Sequence, residues 1–366
     1  MNELPVAAVV NGGGLLLGLA FGALVQRTNF CTMGAISDLV LMGDASRLRA
    51  WLLAAGIAIL GSQGLHMSGQ VDLGAAIYAT PNLGWLGALL GGAAFGFGMV
   101  QAGGCGSRSL VRLGAGNLKS LVALLVLGIT AYATLRGLFG PVRQWLEGIS
   151  AIDLKAFGIS SQALPVLLAK AGLPAEPARA ALALLLGTGL AGYALADAGF
   201  RAKPRLVLSG IGVGLIVVAG WAITGILGRD DFDPTPLASV TFVAPIGDSL
   251  VYLMTFTGAA LTFGISSVGG MILGAFITAK LDGSFRIESF TSRDDLIGHL
   301  RGGALMGIGG VFALGCSIGQ GLTGLSTLAL SSFLAIAGIA FGAVLALRTL
   351  EEGSIAAACR VMFGAR

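Results

Sequence analysis

The sequence predicts an all-α polytopic integral membrane protein with about nine membrane spans, and three observations carry that prediction. Hydrophobic residues fill 55% of the 366 positions and charged residues only 11%, against about 25% charged in a soluble domain. The mean hydropathy is +0.88. Apolar runs recur at lengths near the ~20 residues that a helix needs to cross the hydrocarbon core. The 60 glycines fit the same picture, because glycine lets membrane helices approach closely. A collagen-like or disordered chain would need a three-residue period or low hydrophobicity, and the sequence has neither.

The candidate spans are residues 6–25, 50–69, 83–103, 118–135, 179–199, 206–227, 249–279, 302–322 and 325–347. The 249–279 run is long for one helix and is expected to include a re-entrant piece. Glycine and serine dilute the ends of 83–103 and 302–322, as in hairpins that enter and leave on one side. Lys and Arg mark four cytoplasmic loops: Arg47 and Arg49; Arg108, Arg112 and Lys119; Arg201, Lys203 and Arg205; and Lys280, Arg286, Arg293 and Arg301. The stretches 70–82 and 229–248 suit the outside, the latter carrying Asp230, Asp231, Asp233 and Asp248 against Arg229 alone. The mixed-charge connector 136–178 falls outside by alternation. These constraints are met by a multi-pass protein of the cell inner membrane, embedded in the lipid bilayer, with its N-terminus out and its C-terminus in. The start, MNELPVAAVVNGGG, lacks the basic region of a cleavable signal peptide.

The chain also repeats itself. Gly91 to Cys105 (GGAAFGFGMVQAGGC) aligns without gaps to Gly302 to Cys316 (GGALMGIGGVFALGC), and nine of the fifteen positions are identical. A weaker copy, Gly18 to Cys31 (GLAFGALVQRTNFC), keeps the equivalents of Gly92, Ala94, Phe95, Gly96 and Cys105 at the same spacing. Loop charges set the two strong copies in opposite directions, the mark of inverted-topology repeats with a site near the bilayer midplane. This divides the chain into an N-terminal half, 1–205, with the Cys31 and Cys105 motifs and the connector, and a C-terminal half, 206–366. In the latter, Gly258 to Gly270 is the expected inverted partner of the Cys31 copy, with Ser266 or Ser267 in place of cysteine.

Each copy ends on a cysteine: Cys31 in NFCTMG, Cys105 in GGCGSR and Cys316 in LGCSIG. A glycine-flanked break at membrane depth is tolerated only inside protein or along a water-filled cavity, and broken helices there turn their N-termini toward anions. A thiol adds a soft, weak donor and acceptor that costs little to bury. Three thiols at matched places would form a ladder of weak sites that an anion can both enter and leave. A single buried cysteine is ordinarily packing, but recurrence at one point of three copies argues for function. Gly104, Ser107, Gly315 and Ser317 flank the ladder, and Arg27 and Arg108 stand beside it as either anion attractors or topology signals. Cys359 falls outside the pattern, and glycines such as Gly14, Gly18 and Gly22 read most simply as helix packing.

Other chemistries find no support. The sequence has no P-loop and no metal-ligand spacing, and His66 and His299 stand alone. No nucleophile–base pair suggests an enzyme, no cofactor motif is present, and no basic cluster interleaved with aromatics suggests nucleic-acid binding. A thiol protein exchanging sulfur with a cytoplasmic carrier is the alternative, for which Cys105 near Arg108 is the candidate.

The segments VQRTNFCTMGAISDL, FGFGMVQAGGCGSR, GAFITAKLDGSFRI and GGALMGIGGVFALGCSIGQGL, in this order, resemble the YeeE/YedE sulfur-transport family. The resemblance spans about residues 12 to 347 and is weakest across 136–205. It implies inverted repeats with short re-entrant hairpins and a central path on which Cys31, Cys105 and Cys316 hand along thiosulfate by S–H contacts to its terminal sulfur. It also implies small TusA-like sulfur-carrier proteins as cytoplasmic partners. Members with related motifs extend the substrate range to selenium compounds. Leu314, where many members have glycine, is a departure expected to narrow the path or shift its substrate.

Overall fold

The computed structural model describes residues 5–230 and 235–364; Asp231 and Asp233 lie outside the described residues. The helices are α1 (Val6–Thr28), α2 (Thr32–Ser37), α3 (Ser46–Met67), α4 (Gly92–Gln101), α5 (Gly106–Gly114), α6 (Leu118–Leu135), α7 (Gly140–Ser150) and α8 (Leu164–Lys170). They continue as α9 (Ala175–Ala196), α10 (Ala198–Arg201), α11 (Pro204–Ala222), α12 (Val243–Met254), α13 (Phe263–Leu281), α14 (Arg293–Phe312), α15 (Leu330–Glu352) and α16 (Ile355–Phe363). Among the described residues strand pairing is sparse: a two-residue pairing, β1 (Asn82–Leu83) antiparallel to β2 (Ile152–Asp153), ties the connector to the loop after α3, and isolated bridges join Asn117 to Glu288 and Ala163 to Ala329.

Among the described residues, eight helical stretches are long and apolar enough to cross a membrane. The ninth expected span corresponds to α14, whose first turn is charged (Arg293, Asp294, Asp295) but which packs inside the same bundle. The 249–279 run resolves into two pieces, the short α12 and the full-length α13, parted where Thr262 caps the second helix.

Glycine positions explain how the long helices pair. On α1, β-carbons at Gly14, Gly18 and Gly22 would strike the backbone oxygens of Phe263, Ser267 and Met271 in that order, so α1 and α13 run parallel in backbone contact. Gly92 and Gly96 of α4 meet the carbonyls of Ala335 and Ile339 on α15 in the same way. The alignment of Gly18 and Gly22 with Gly92 and Gly96 thus reflects two equivalent helix pairs. The two strong copies meet directly and antiparallel. A β-carbon on Gly98 would lie 2.7 Å from the Gly302 oxygen, and one on Gly91 2.7 Å from that of Gly309.

The Cys31 copy is different. Its expected partner, Gly258 to Gly270, runs parallel to α1, whereas the antiparallel neighbour is α11, with Gly13 on Ile223 and Gly212 on Leu24. Ser267 accordingly lies within the continuous helix α13, where its hydroxyl donates to the Phe263 carbonyl at 2.8 Å. The period of the repeat was legible, but its direction depends on which helix packs beside it.

Loop ion pairs gather on one face of the bundle: Arg27–Asp282 (3.3 Å), Lys203–Asp44 (3.5 Å), Arg49–Asp197 (3.7 Å) and Lys119–Asp295 (2.6 Å). This basic face joins all four loops assigned inside from Lys and Arg alone. At the opposite face the connector closes over the start of α15, where Leu164 donates to Leu328 and Leu330 donates to Gln162.

Candidate functional site

The three cysteines sit at breaks of one design. Two residues before each stands a residue in the left-handed conformation: Asn29 (φ 55°), Gly103 (φ 67°) and Leu314 (φ 57°). In both strong copies the helix closes with the amide three residues past its last residue bonding back five positions. Gly104 donates to Met99 and Gly315 to Gly310, each at 2.8 Å, as in a Schellman motif. The cysteine then opens the next helical turn. The carbonyls of Cys31, Cys105 and Cys316 accept from Ala35 (3.0 Å), Ser109 (2.9 Å) and Gln320 (2.7 Å). Glycine is the usual residue where φ is positive, and leucine there carries a conformational cost of about 1–2 kcal/mol.

All three thiols are buried in the same apolar core. The Gly319 amide donates to the Cys316 sulfur at 3.2 Å, and the amides of Gly34 and Arg108 face Cys31 and Cys105 from the same third position. Cys105 stands in the middle: it faces Cys31 on one side and Ser317 on the other, and its sulfur meets the Ser107 hydroxyl at 3.2 Å. Cys316 lies beside Tyr78, whose hydroxyl is paired with Thr241. The order along this line is Cys316, Cys105, Cys31. Cys359 is on α16, away from it.

The electrostatic surroundings change along the line. The Arg108 guanidinium faces both Cys31 and Cys105 and donates to the Asn29 side chain and, at 3.4 Å, to the Val25 carbonyl. It therefore fixes the left-handed residue that ends α1. Arg112 donates to Gly103 at 2.9 Å, the equivalent residue of the next break. Arg47 packs its guanidinium against Gly34, one turn past Cys31, and pairs with Asp38 at 3.3 Å. Arg27, by contrast, is 59% exposed and turned to Asp282, so the structure sets it at the rim and not on the cysteine line.

Around Cys316 the polar groups are neutral. Gln320 donates to the Ala313 carbonyl and accepts from Ser332 at 2.6 Å. Thr323 donates to Val240 at 2.7 Å, and the Trp221 indole donates to Ser326 at 3.0 Å. Sequence reasoning missed Asn29, Arg47, Tyr78, Thr241 and Gln320. Only Asn29, a residue tolerant of positive φ standing two places before a cysteine, carried a readable signal. No group of His, Cys, Asp and Glu able to hold a metal occurs among the described residues.

A profile of the family described as "Sulphur transport" matches residues 27–345. The thiosulfate transporter TsuA of Spirochaeta thermophila is 30% identical over 331 residues, covering 88% of this chain and 93% of that protein. TsuA of Escherichia coli K12 is 26% identical over 319 residues, covering 84% and 86%. The probable transporter YedE of Salmonella typhimurium is 35% identical over 96 residues, 26% of this chain and 22% of its own. A match over so much of the chain, through all three cysteine breaks, makes this protein a member of the sulphur-transport family.

Proposed function

We propose that the protein moves thiosulfate, or a closely similar small sulfur-containing anion, across the bacterial inner membrane along the line Cys316, Cys105, Cys31. The observation that carries this reading is the placement of three buried thiols at matching helix breaks, each two residues after a left-handed residue, with Cys105 between its two neighbours. A thiol suits a polarizable terminal sulfur, and it binds weakly enough for the ion to leave. The path begins among neutral groups at Cys316 and ends beside Arg108, Arg112 and Arg47. An anion therefore meets rising positive potential toward the basic face. Homology supports the same substrate, since the relatives that match most of the chain are named thiosulfate transporters.

At the basic face the ion would be released near exposed Arg27 and Lys203, a surface that suits an acidic patch on a TusA-like carrier. The decisive experiment is uptake of radiolabelled thiosulfate into vesicles reconstituted with the purified protein. Cys105→Ala is expected to abolish uptake, and Cys31→Ala and Cys316→Ala to reduce it severely. Sulfate should compete poorly. Uptake that survives all three substitutions overturns the reading, and preferential competition by selenite would move the substrate to a selenium anion.

A further inference from the structure

Hydroxyls inside this bundle normally satisfy themselves by donating to the carbonyl four residues back. Thr28 does so to Leu24 and Ser267 to Phe263, each at 2.8 Å, and Ser249 does so to Pro245 at 2.6 Å. Thr32 and Ser317 do not. Each is the residue immediately after a path cysteine, each is at least nine-tenths buried (6% and 0% exposed), and neither hydroxyl has a nitrogen or oxygen partner among the described residues. The helix break explains why: directly after it, whether at the first residue of α2 or in the turn at Ser317, no carbonyl of a preceding helical turn lies in line. The third break repeats the pattern one residue later. Ser107, 5% exposed, turns its hydroxyl to the Cys105 sulfur.

Buried polar groups left unpaired cost stability and are few in native proteins. Among the described residues Ser62, Ser266 and Ser331 are unpaired as well, but of these five hydroxyls only those of Thr32 and Ser317 directly follow a path cysteine, and Ser317 faces Cys105. We infer that Thr32, Ser107 and Ser317 bind the oxygen end of the transported anion, while the cysteines take its sulfur end. The inference rests on the proposed path and adds its selectivity. The site fits a tetrahedral anion that carries both a soft terminal sulfur and hard acceptor oxygens. Sulfate offers no soft atom to the thiols, and hydrosulfide offers no oxygen to the hydroxyls.

Thr32→Val keeps the shape of the side chain and removes only the hydroxyl, and Ser317→Ala removes the other unpaired one. In reconstituted vesicles each is expected to raise the KM for thiosulfate about tenfold, the usual scale for one hydrogen bond to a charged group. The melting temperature of the purified protein should stay level or rise, because an unsatisfied buried group has gone. Thr32→Ser, which keeps the hydroxyl, should bring KM back to within about twofold of wild type. A purely structural role predicts the reverse pairing, with falling melting temperature alongside falling uptake, and that result overturns the inference. So does an unchanged KM in both Thr32→Val and Ser317→Ala when Cys105→Ala is inactive. Full uptake by Cys105→Ala instead overturns the path itself.

Discussion

The breaks after α4 and after α14 come from the same repeated segment, yet they are secured by different means. At Gly103–Cys105 the turn is tied down by long cationic side chains, Arg112 to Gly103 and Arg108 to the neighbouring α1 terminus. At Leu314–Cys316 it is held by a buried neutral network, with Gln320 bridging Ala313 and Ser332. The difference follows from position. The first break lies toward the basic face, where a guanidinium can keep contact with solvent or loop carboxylates. The second is enclosed by α15, Tyr78 and Trp221, where an amide satisfies two partners without a charge to desolvate. Similar sequence therefore fixes the bend, while local dielectric selects what holds it.

The largest test addresses what the two copies share. Gly98→Leu and Gly302→Leu each force a side chain into opposing backbone at 2.7 Å or less. Each should cost more than about 3 kcal/mol, seen as loss of the monodisperse peak in gel filtration. Unequal outcomes would break the equivalence of the copies. The next separates the two kinds of anchor. Gln320→Ala orphans two buried partners and should cost roughly 3 kcal/mol in thermal melts, whereas Arg112→Ala should cost about 1 kcal/mol.

A finer test compares the left-handed residues. Gly103→Ala should destabilise by about 1–2 kcal/mol. Leu314→Gly should change stability by less than about 1 kcal/mol, because relief of backbone strain is offset by lost apolar contact and a freer unfolded chain. The smallest effect belongs to the rim. Arg27→Gln breaks an exposed ion pair with Asp282 and should shift stability by at most about 0.5 kcal/mol, with no residual difference in high salt.

Much of this was legible in the sequence. Hydropathy located the spans, loop charges located the basic face, and repeat identity selected Cys31, Cys105 and Cys316 while setting Cys359 aside. Each of these signals is local or periodic. What stayed hidden was contact between distant segments. Nothing near Gly34 in the chain announces that Arg47 will lie on it, and Tyr78 and Thr241 approach Cys316 only because the outer loops fold inward. Ser267, expected at a break, lies inside the continuous helix α13. A Gly- and Ser-rich run reads alike whether it ends a helix or lets a parallel neighbour sit close, and in α13 it does the latter. Arg27 shows the complementary limit, since adjacency in sequence to Cys31 did not bring it to the thiol.

The glycine contacts of α1 with α13 and of α4 with α15 bear on how such a molecule can move. Helices separated by interleaved side chains can creep past each other as rotamers exchange. A carbonyl oxygen seated over a bare α-carbon, as at Gly18, Gly22, Gly92 and Gly96, has nothing to exchange, and the next such seat is a full turn of about 5.4 Å away. These pairs behave as rigid posts. On the proposed path, passage of an ion would then call for give in the short turns that carry the cysteines while the frame stands still.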